Sequence, residues 1–173
     1  MISVLKLVVV GIIGLLVMLW VAGQLGLLRG QPAAALGVRD GRLAPPSATP
    51  NSVSSQASLY PEHPQHAYAS IAPLAYTGDA QAAMRRLSTL LEAIPGCVLV
   101  TREPGYLYAQ CSTRWLKFTD DLEFALDAAA GVIHLRSASR LGARDFGVNR
   151  SRIQGLRARF EQADNTTSTL EKQ

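Results

Sequence analysis

Residues 7–28, LVVVGIIGLLVMLWVAGQLGLL, carry no charge, and Gln24 is their only strongly polar side chain. Coiled as a helix, such a stretch reaches about 33 Å, against a hydrocarbon core of about 30 Å. The segment (1–28 with its lead) is therefore predicted to be a transmembrane anchor, so the rest of the chain must fold on one side of a membrane. The alternative is a secretory signal. Its apolar core is usually shorter, about 7–15 residues, although Val21-Ala22-Gly23 or Ala33-Ala34-Ala35 would serve as a small-residue cleavage site. Length favours the anchor.

Orientation is contested by two signals. Lys6 and the amino terminus precede the segment, whereas Arg29, Arg39 and Arg42 follow it. A count of positive charge places the C-terminal side in the cytoplasm. The very short N-terminal tail is easily retained inside, and the two cysteines point to an oxidising compartment. The reading taken is a single-pass protein of a bacterial inner membrane with its domain on the periplasmic side.

Charge is distributed unevenly. Residues 29–133 carry eight Lys/Arg against nine Asp/Glu, whereas residues 134–160 carry seven arginines against Asp145 alone. Such a block suits an acidic partner, a phosphate-bearing ligand or an anionic membrane surface. A solvated helix face whose arginines pair with local acids explains it equally well.

Proline, alanine, glycine and serine dominate residues 29–50, which read as a flexible linker. Residues 51–163 are expected to form a single α+β domain, with 51–66 as an irregular loop at its start. Residues 164–173, DNTTSTLEKQ, read as a disordered tail. A short strand is expected within 67–76, confined by Pro73 to an edge. Asp79 is a helix N-cap, and Ala80, Met84, Leu87, Leu91 and Ile94 recur on one helical face until Pro95-Gly96. The period then changes to two over 97–102, 106–111, 113–126 and 132–138. A last helix over Asn149–Ala163 presents Ile153, Leu156 and Phe160. The predicted order is β-α-β-β-β-β-α: a small antiparallel sheet of four to five strands with both helices on one face.

A three-residue loop Glu103-Pro104-Gly105 pairs Arg102 with Tyr106 and sets Cys97 opposite Cys111, within disulfide reach. A disulfide is expected there, with two buried thiols as the alternative.

No catalytic residue stands out. His63 and His66 have no companion Cys or Glu at a metal-ligand spacing, so neither a metal nor a cofactor is expected. The serines of NSVSS lack a neighbouring base. Asp145-Phe146-Gly147 copies a kinase tripeptide without the glycine-rich loop that would give it meaning. Asp120 and Asp121 point to opposite faces of their strand. If polar faces polar across the next connection, Asp121 pairs with Arg136 and Glu123 with His134. Asp120 then lies on the apolar side and needs Arg140 or Arg150. In the loop RSASRLGARDFGVNR, Asn149 is predicted to cap the last helix, and helix N-termini favour anions. Asp120, Asp121, Arg136, Ser137, Ser139, Arg140, Asp145, Asn149 and Arg150 are the candidate ligand-binding residues. The reading fails if Arg136, Arg140 and Arg150 are all satisfied by internal carboxylates.

NSVSS, FTDDLEF and IHLRSASRLGARDFGVNRSRI together resemble the bacterial and plastid family known as domain of unknown function 1499. The resemblance covers about residues 50–160. It implies a small domain, often behind a signal or membrane segment, and no established activity. The motif residues it marks are Asn51, Ser54, Ser55, Asp120, Asp121, Arg136, Ser137, Ser139, Arg140, Gly142, Asp145, Gly147, Asn149 and Arg150. Ser52 occupies a position where the family often has cysteine.

The sequence therefore points to a membrane-anchored, extracytoplasmic binding module for an anionic small molecule, a lipid headgroup or a protein partner. The alternative is a hydrolase-like enzyme using Asp120 or Asp121 as base and arginines as electrostatic clamps. Nucleic acid is disfavoured, because the basic block lacks interleaved exposed aromatics.

Overall fold

The computed structural model describes residues 3–32 and 35–170. Helix α1 is Val4–Gln24, capped by the Ser3 hydroxyl, and only Gly23 within it is buried. It is long and apolar enough to cross a membrane by length and composition. The helix stops before the apolar run does, and Gly26 takes a left-handed φ of 78° in the turn that follows. Its C-terminal end touches the domain. A Cβ on Gly23 would lie 2.7 Å from the Leu116 carbonyl oxygen, and the Gln24 amide donates to the Trp115 carbonyl at 2.9 Å. Ala33 and Ala34, part of one possible cleavage site, lie outside the described residues.

The domain is α+β, built on a six-stranded sheet. In chain order its elements are β1 (Ser52–Ser54), a 3-10 turn (Ala57–Leu59), α2 (His66–Ala69), β2 (Leu74–Ala75), α3 (Ala80–Glu92), β3 (Cys97–Glu103), β4 (Tyr106–Ser112), β5 (Thr119–Asp127), β6 (Val132–Ser139) and α4 (Val148–Leu170). The strands lie in the order β1-β6-β5-β4-β3, all antiparallel, and β2 pairs with β6 beyond β1.

The differences from the expected elements have physical causes. β1 lies in the segment expected to be loop, where its three residues, all buried, show no alternation. The strand expected over 67–76 shrinks to two residues. Its first residues, up to Ala69, belong to helix α2, Ser70 makes only an isolated bridge to Ser54, and Pro73 has no N–H to give a ladder. Strand β5 also starts later than expected. Thr113 and Phe118 close a turn on each other, and Lys117 sits within it at a φ of 59°.

The β3–β4 hairpin turns through two residues, so Glu103 rather than Arg102 faces Tyr106. A bulge between Leu99 and Thr101 takes up the extra residue, and Cys97 again faces Cys111, to which it is disulfide-bonded. Between β5 and β6 the register is two residues away from that expected. Glu123 faces Arg136, Asp121 faces Ala138, and Ala125 faces His134. A two-residue shift preserves the faces, since side chains alternate with period two. It exchanges the partners.

Helices α3 and α4 cover one face of the sheet. Met84, Leu87 and Leu91 meet Leu107, Leu122, Phe124, Ile133 and Leu135, and Ile153, Leu156 and Phe160 complete the core. The Asp79 carboxylate caps α3 by accepting the Ala82 N–H at 2.7 Å. Helix α4 continues past Ala163 to Leu170. Asp164 there is buried and accepts from Thr77 and Arg86, which binds α4 to the middle of α3 and to the chain before it. Residues 171–173 of the expected tail lie outside the described residues.

The opposite face of the sheet is polar, and residues 35–47 lie across it. The Gly37 N–H donates to Glu123, the Pro45 carbonyl accepts from Arg136, and the Leu43 N–H donates to Gln56. Leu43 itself is buried. Its backbone carbonyl also accepts the Tyr60 hydroxyl.

Candidate functional site

Strand β5 sends Asp121 and Glu123 to the polar face and Asp120 to the core face. Both faces are closed over, so each carboxylate must find its partners within the domain. Arg140 supplies them for Asp121. Its Nε lies 3.1 and 3.0 Å from the two carboxylate oxygens, and its Nη2 lies 2.8 Å from Oδ1. The Tyr108 hydroxyl donates to the same carboxylate at 2.6 Å. Glu123, fully buried, accepts from the Tyr106 hydroxyl at 2.9 Å, from the Gly37 N–H at 2.8 Å and from Arg136 at 3.4 Å. Burial, reinforced by the adjacent carboxylates, pushes the Tyr106 hydroxyl well above its ordinary pKa and raises that of Tyr108, so both remain donors.

The core face carries a second cluster centred on Asn149. Its amide nitrogen shares its two protons among three acceptors, the Asn51 carbonyl at 3.2 Å, the Ser139 hydroxyl at 3.0 Å and Asp145 at 3.0 Å. Its carbonyl oxygen accepts from Ser137 and from Arg152. Asp120 accepts from Arg152 at 2.7 Å. Asn149 is fully buried and lies inside α4, which begins at Val148, so it is the hub of this network and not the expected helix cap. Asp145 is the cap: it accepts the N–H groups of Gly147 and Asn149, both at 3.0 Å. Tyr68 donates to it as well. Burial pushes the Asp145 carboxyl up, but the bonds from Tyr68, Gly147 and Asn149 outweigh burial and hold it below its ordinary value of 3.8.

The nine candidate residues therefore do not converge on one cleft. Asp121, Arg136 and Arg140 lie on the polar face, and Asp120, Ser137, Ser139, Asp145 and Asn149 lie on the core face. Arg150 reaches neither cluster and donates to the backbone of Tyr68 and Ser70. Partners also differ from those expected: Asp121 takes Arg140 rather than Arg136, and Asp120 takes Arg152 rather than Arg140 or Arg150. Arg157 is held by the carbonyls of Ala72 and Pro73. Among the described residues, Arg144 is exposed and has neither a hydrogen bond nor an ion pair.

Arg144 borders a cleft of about 380 Å³ between the 113–119 turn and the loop 141–148. Phe118, Leu141, Phe146 and Val148 give the cleft its apolar lining, and Asp120 and Ser139 lie in its wall. Phe146 is 92% exposed, so the basic loop carries one exposed aromatic. Its backbone is left-handed, with a φ of 51°, a conformation that costs a side-chain-bearing residue about 1–2 kcal/mol. A second cavity, of about 430 Å³, is lined by Phe146 and Arg144 as well, together with Tyr68 and Arg150.

Folding brings a base to one serine after all. Ser55 Oγ is 3.2 Å from His134 Nδ1, and Asp127 lies 3.7 Å from His134 Nε2. The Asp127 separation is too long for a hydrogen bond. The Ser55 hydroxyl accepts the Leu135 N–H at 2.9 Å, which ties the end of β1 to β6. Ser52 likewise holds structure, accepting the Ser47 N–H at 2.8 Å.

A family model described as "Protein of unknown function (DUF1499)" matches residues 42–160. The chain belongs to this family. The match begins within the segment that crosses the polar face and ends at Phe160 of α4, so the DUF1499 unit includes both ionic clusters. No curated protein and no solved structure matches the chain.

Sequence reasoning missed Tyr68, Tyr106 and Tyr108. The last two alternate with Gln110 on β4, and that period was the available signal. Tyr68 meets Asp145 from 77 residues away, and nothing local marks the pair.

Replacing Arg140 with methionine strands the buried Asp121 charge and is expected to cost about 3–5 kcal/mol. Adding Asp121→Asn is expected to recover much of that loss. Urea unfolding of the full chain in detergent measures both. Asp145 adds a pH dependence. Its stabilisation is fully present above the unfolded carboxyl value of about 3.9 and is lost as pH falls through the lower folded value. Thermal melts of Asp145→Asn are therefore expected to be less sensitive than the parent to acidification below about pH 4.

Proposed function

We propose that this DUF1499 chain is a membrane-anchored binding domain whose ligand is an amphipathic anion. The ligand occupies the cleft between the 113–119 turn and the loop 141–148. One observation carries the reading: Arg136, Arg140, Arg150, Arg152 and Arg157 have internal partners, and Arg144 at the cleft has none. The exposed Phe146, held in a strained conformation, supplies an apolar contact beside it. An anionic headgroup would pair with the guanidinium, and an alkyl portion would cover Phe118, Leu141 and Val148.

The apolar helix α1 supports anchoring. The Cys97–Cys111 disulfide supports placing the domain on an oxidising, periplasmic side of a bacterial inner membrane, against the charge count of Arg29, Arg39 and Arg42. The hydrolase reading draws no support from the site. Asp120 and Asp121 lie on opposite faces, and each is bound by an arginine.

Octyl phosphate is a suitable probe. Titrated into the isotopically labelled full chain in nanodiscs, it is expected to shift the backbone amides of Gly142, Phe146 and Gly147, while octyl glucoside leaves them in place. A hydrogen bond to a charged group contributes about 1.5–3 kcal/mol, so Arg144→Gln is expected to weaken octyl phosphate binding by about tenfold or more. Equal affinity for parent and variant would contradict the assignment.

A further inference from the structure

We infer that the 113–118 turn, together with the chain leaving α1, forms a surface that rests on the headgroups of the bilayer that α1 crosses. The inference rests on the anchored reading above and deepens it. Helix α1 has 21 residues. At 1.5 Å per residue it reaches about 31 Å, the thickness of one hydrocarbon core, so Gln24 stands at the core's edge. The Gln24 side chain is bonded to the Trp115 carbonyl at 2.9 Å. One residue earlier, Gly23 abuts the Leu116 backbone so closely that a Cβ would have to displace it. These two contacts fix the turn at the level of the bilayer edge, with no spacer between helix and domain.

The composition of the turn suits that level. Trp115 is 64% exposed, and the Arg114 guanidinium lies over its ring at 5.3 Å. Phe118 is exposed, and Lys117 stands beside it. Leu25 and Leu27, just beyond the helix, are exposed as well, and Arg29 follows them. Segments 23–32 and 113–119 contain no aspartate or glutamate. Tryptophan with flanking cations is the composition of a membrane interface, and a net positive surface is complementary to anionic lipid. Water would leave these apolar side chains uncovered, whereas a headgroup layer covers them.

The same surface borders the cleft. Phe118 belongs to both, and Gly30, on the chain leaving α1, packs against Leu141 of the cleft rim. An amphipathic anion in the cleft would therefore be drawn from the bilayer itself and not from free solution.

The two tryptophans, Trp20 and Trp115, allow the surface and the anchor to be tested separately. Trp20→Phe leaves Trp115 as the single reporter, and Trp115→Phe leaves Trp20. Each full-length variant is reconstituted into vesicles of phosphatidylglycerol mixed with phosphatidylcholine carrying bromine at a chosen acyl depth. Trp115 is expected to be quenched by bromines near the headgroup end and much less by bromines near the chain terminus. Arg114→Gln with Lys117→Gln is expected to reduce that quenching in phosphatidylglycerol vesicles. If Trp20 is quenched while Trp115 stays unquenched and open to acrylamide, the surface is overturned and the anchor stands. If neither is quenched, the anchored reading fails and the surface with it.

Discussion

The paired contact of Arg140 with Asp121 is the constraint on which the rest of the domain depends. It joins the residue after β6 to the middle of the sheet, with both side chains almost wholly buried. An ion pair placed there is favourable only if its remaining hydrogen-bonding capacity is filled. Tyr108 fills it for Asp121, and Tyr106 and Gly37 fill it for Glu123. The segment 35–47 therefore contributes directly, by donating backbone groups to charges that would otherwise be stranded. With Arg136 and Arg140 held on one face, Arg152 on the other and Arg150 bound to the Tyr68 and Ser70 carbonyls, Arg144 is the arginine of the loop that stays exposed.

The Asn149 cluster performs the corresponding task on the core face. A primary amide donates twice and accepts twice, and here it meets strand β6, the chain before β1, the cap Asp145 and Arg152. This one side chain sets where α4 begins. Asp145 then fixes the helix end, leaving Phe146 on the outside of a tight turn with Gly147 behind it. The exposed loop tip is thus a product of the polar wiring beneath it.

Features encoded locally were legible from sequence. Asp79 followed by apolar residues at helical spacing marks α3 and its cap. The change to period two marks the strands, and parity alone places Asp120 and Asp121 on opposite faces. The opposition of Cys97 and Cys111 emerged although the loop between them is shorter than expected, because the bulge at Val100 compensates for it. Features encoded at long range were not legible. The register of β5 on β6 depends on the length of the 128–131 connection, and a two-residue shift there changes every partner without changing any face. Residues 35–47 read as a linker because their contacts run through backbone groups such as Gly37 N–H and Pro45 C=O, which leave no mark in composition. Eight of the nine candidate residues belong to two networks and Arg150 to neither, and only folding could reveal that Arg144 at the cleft stays outside them.

The exchange of arginine side-chain protons tests this account most directly. In nuclear magnetic resonance spectra of the full chain, the Nε–H protons of Arg136 and Arg140 should exchange slowly with water, because each is buried and donates to a fixed acceptor. That of Arg144 should exchange at the rate of a free guanidinium. Fast exchange at Arg140, or protection at Arg144 equal to that of Arg140, would contradict the claim that internal wiring holds Arg140 and leaves Arg144 free.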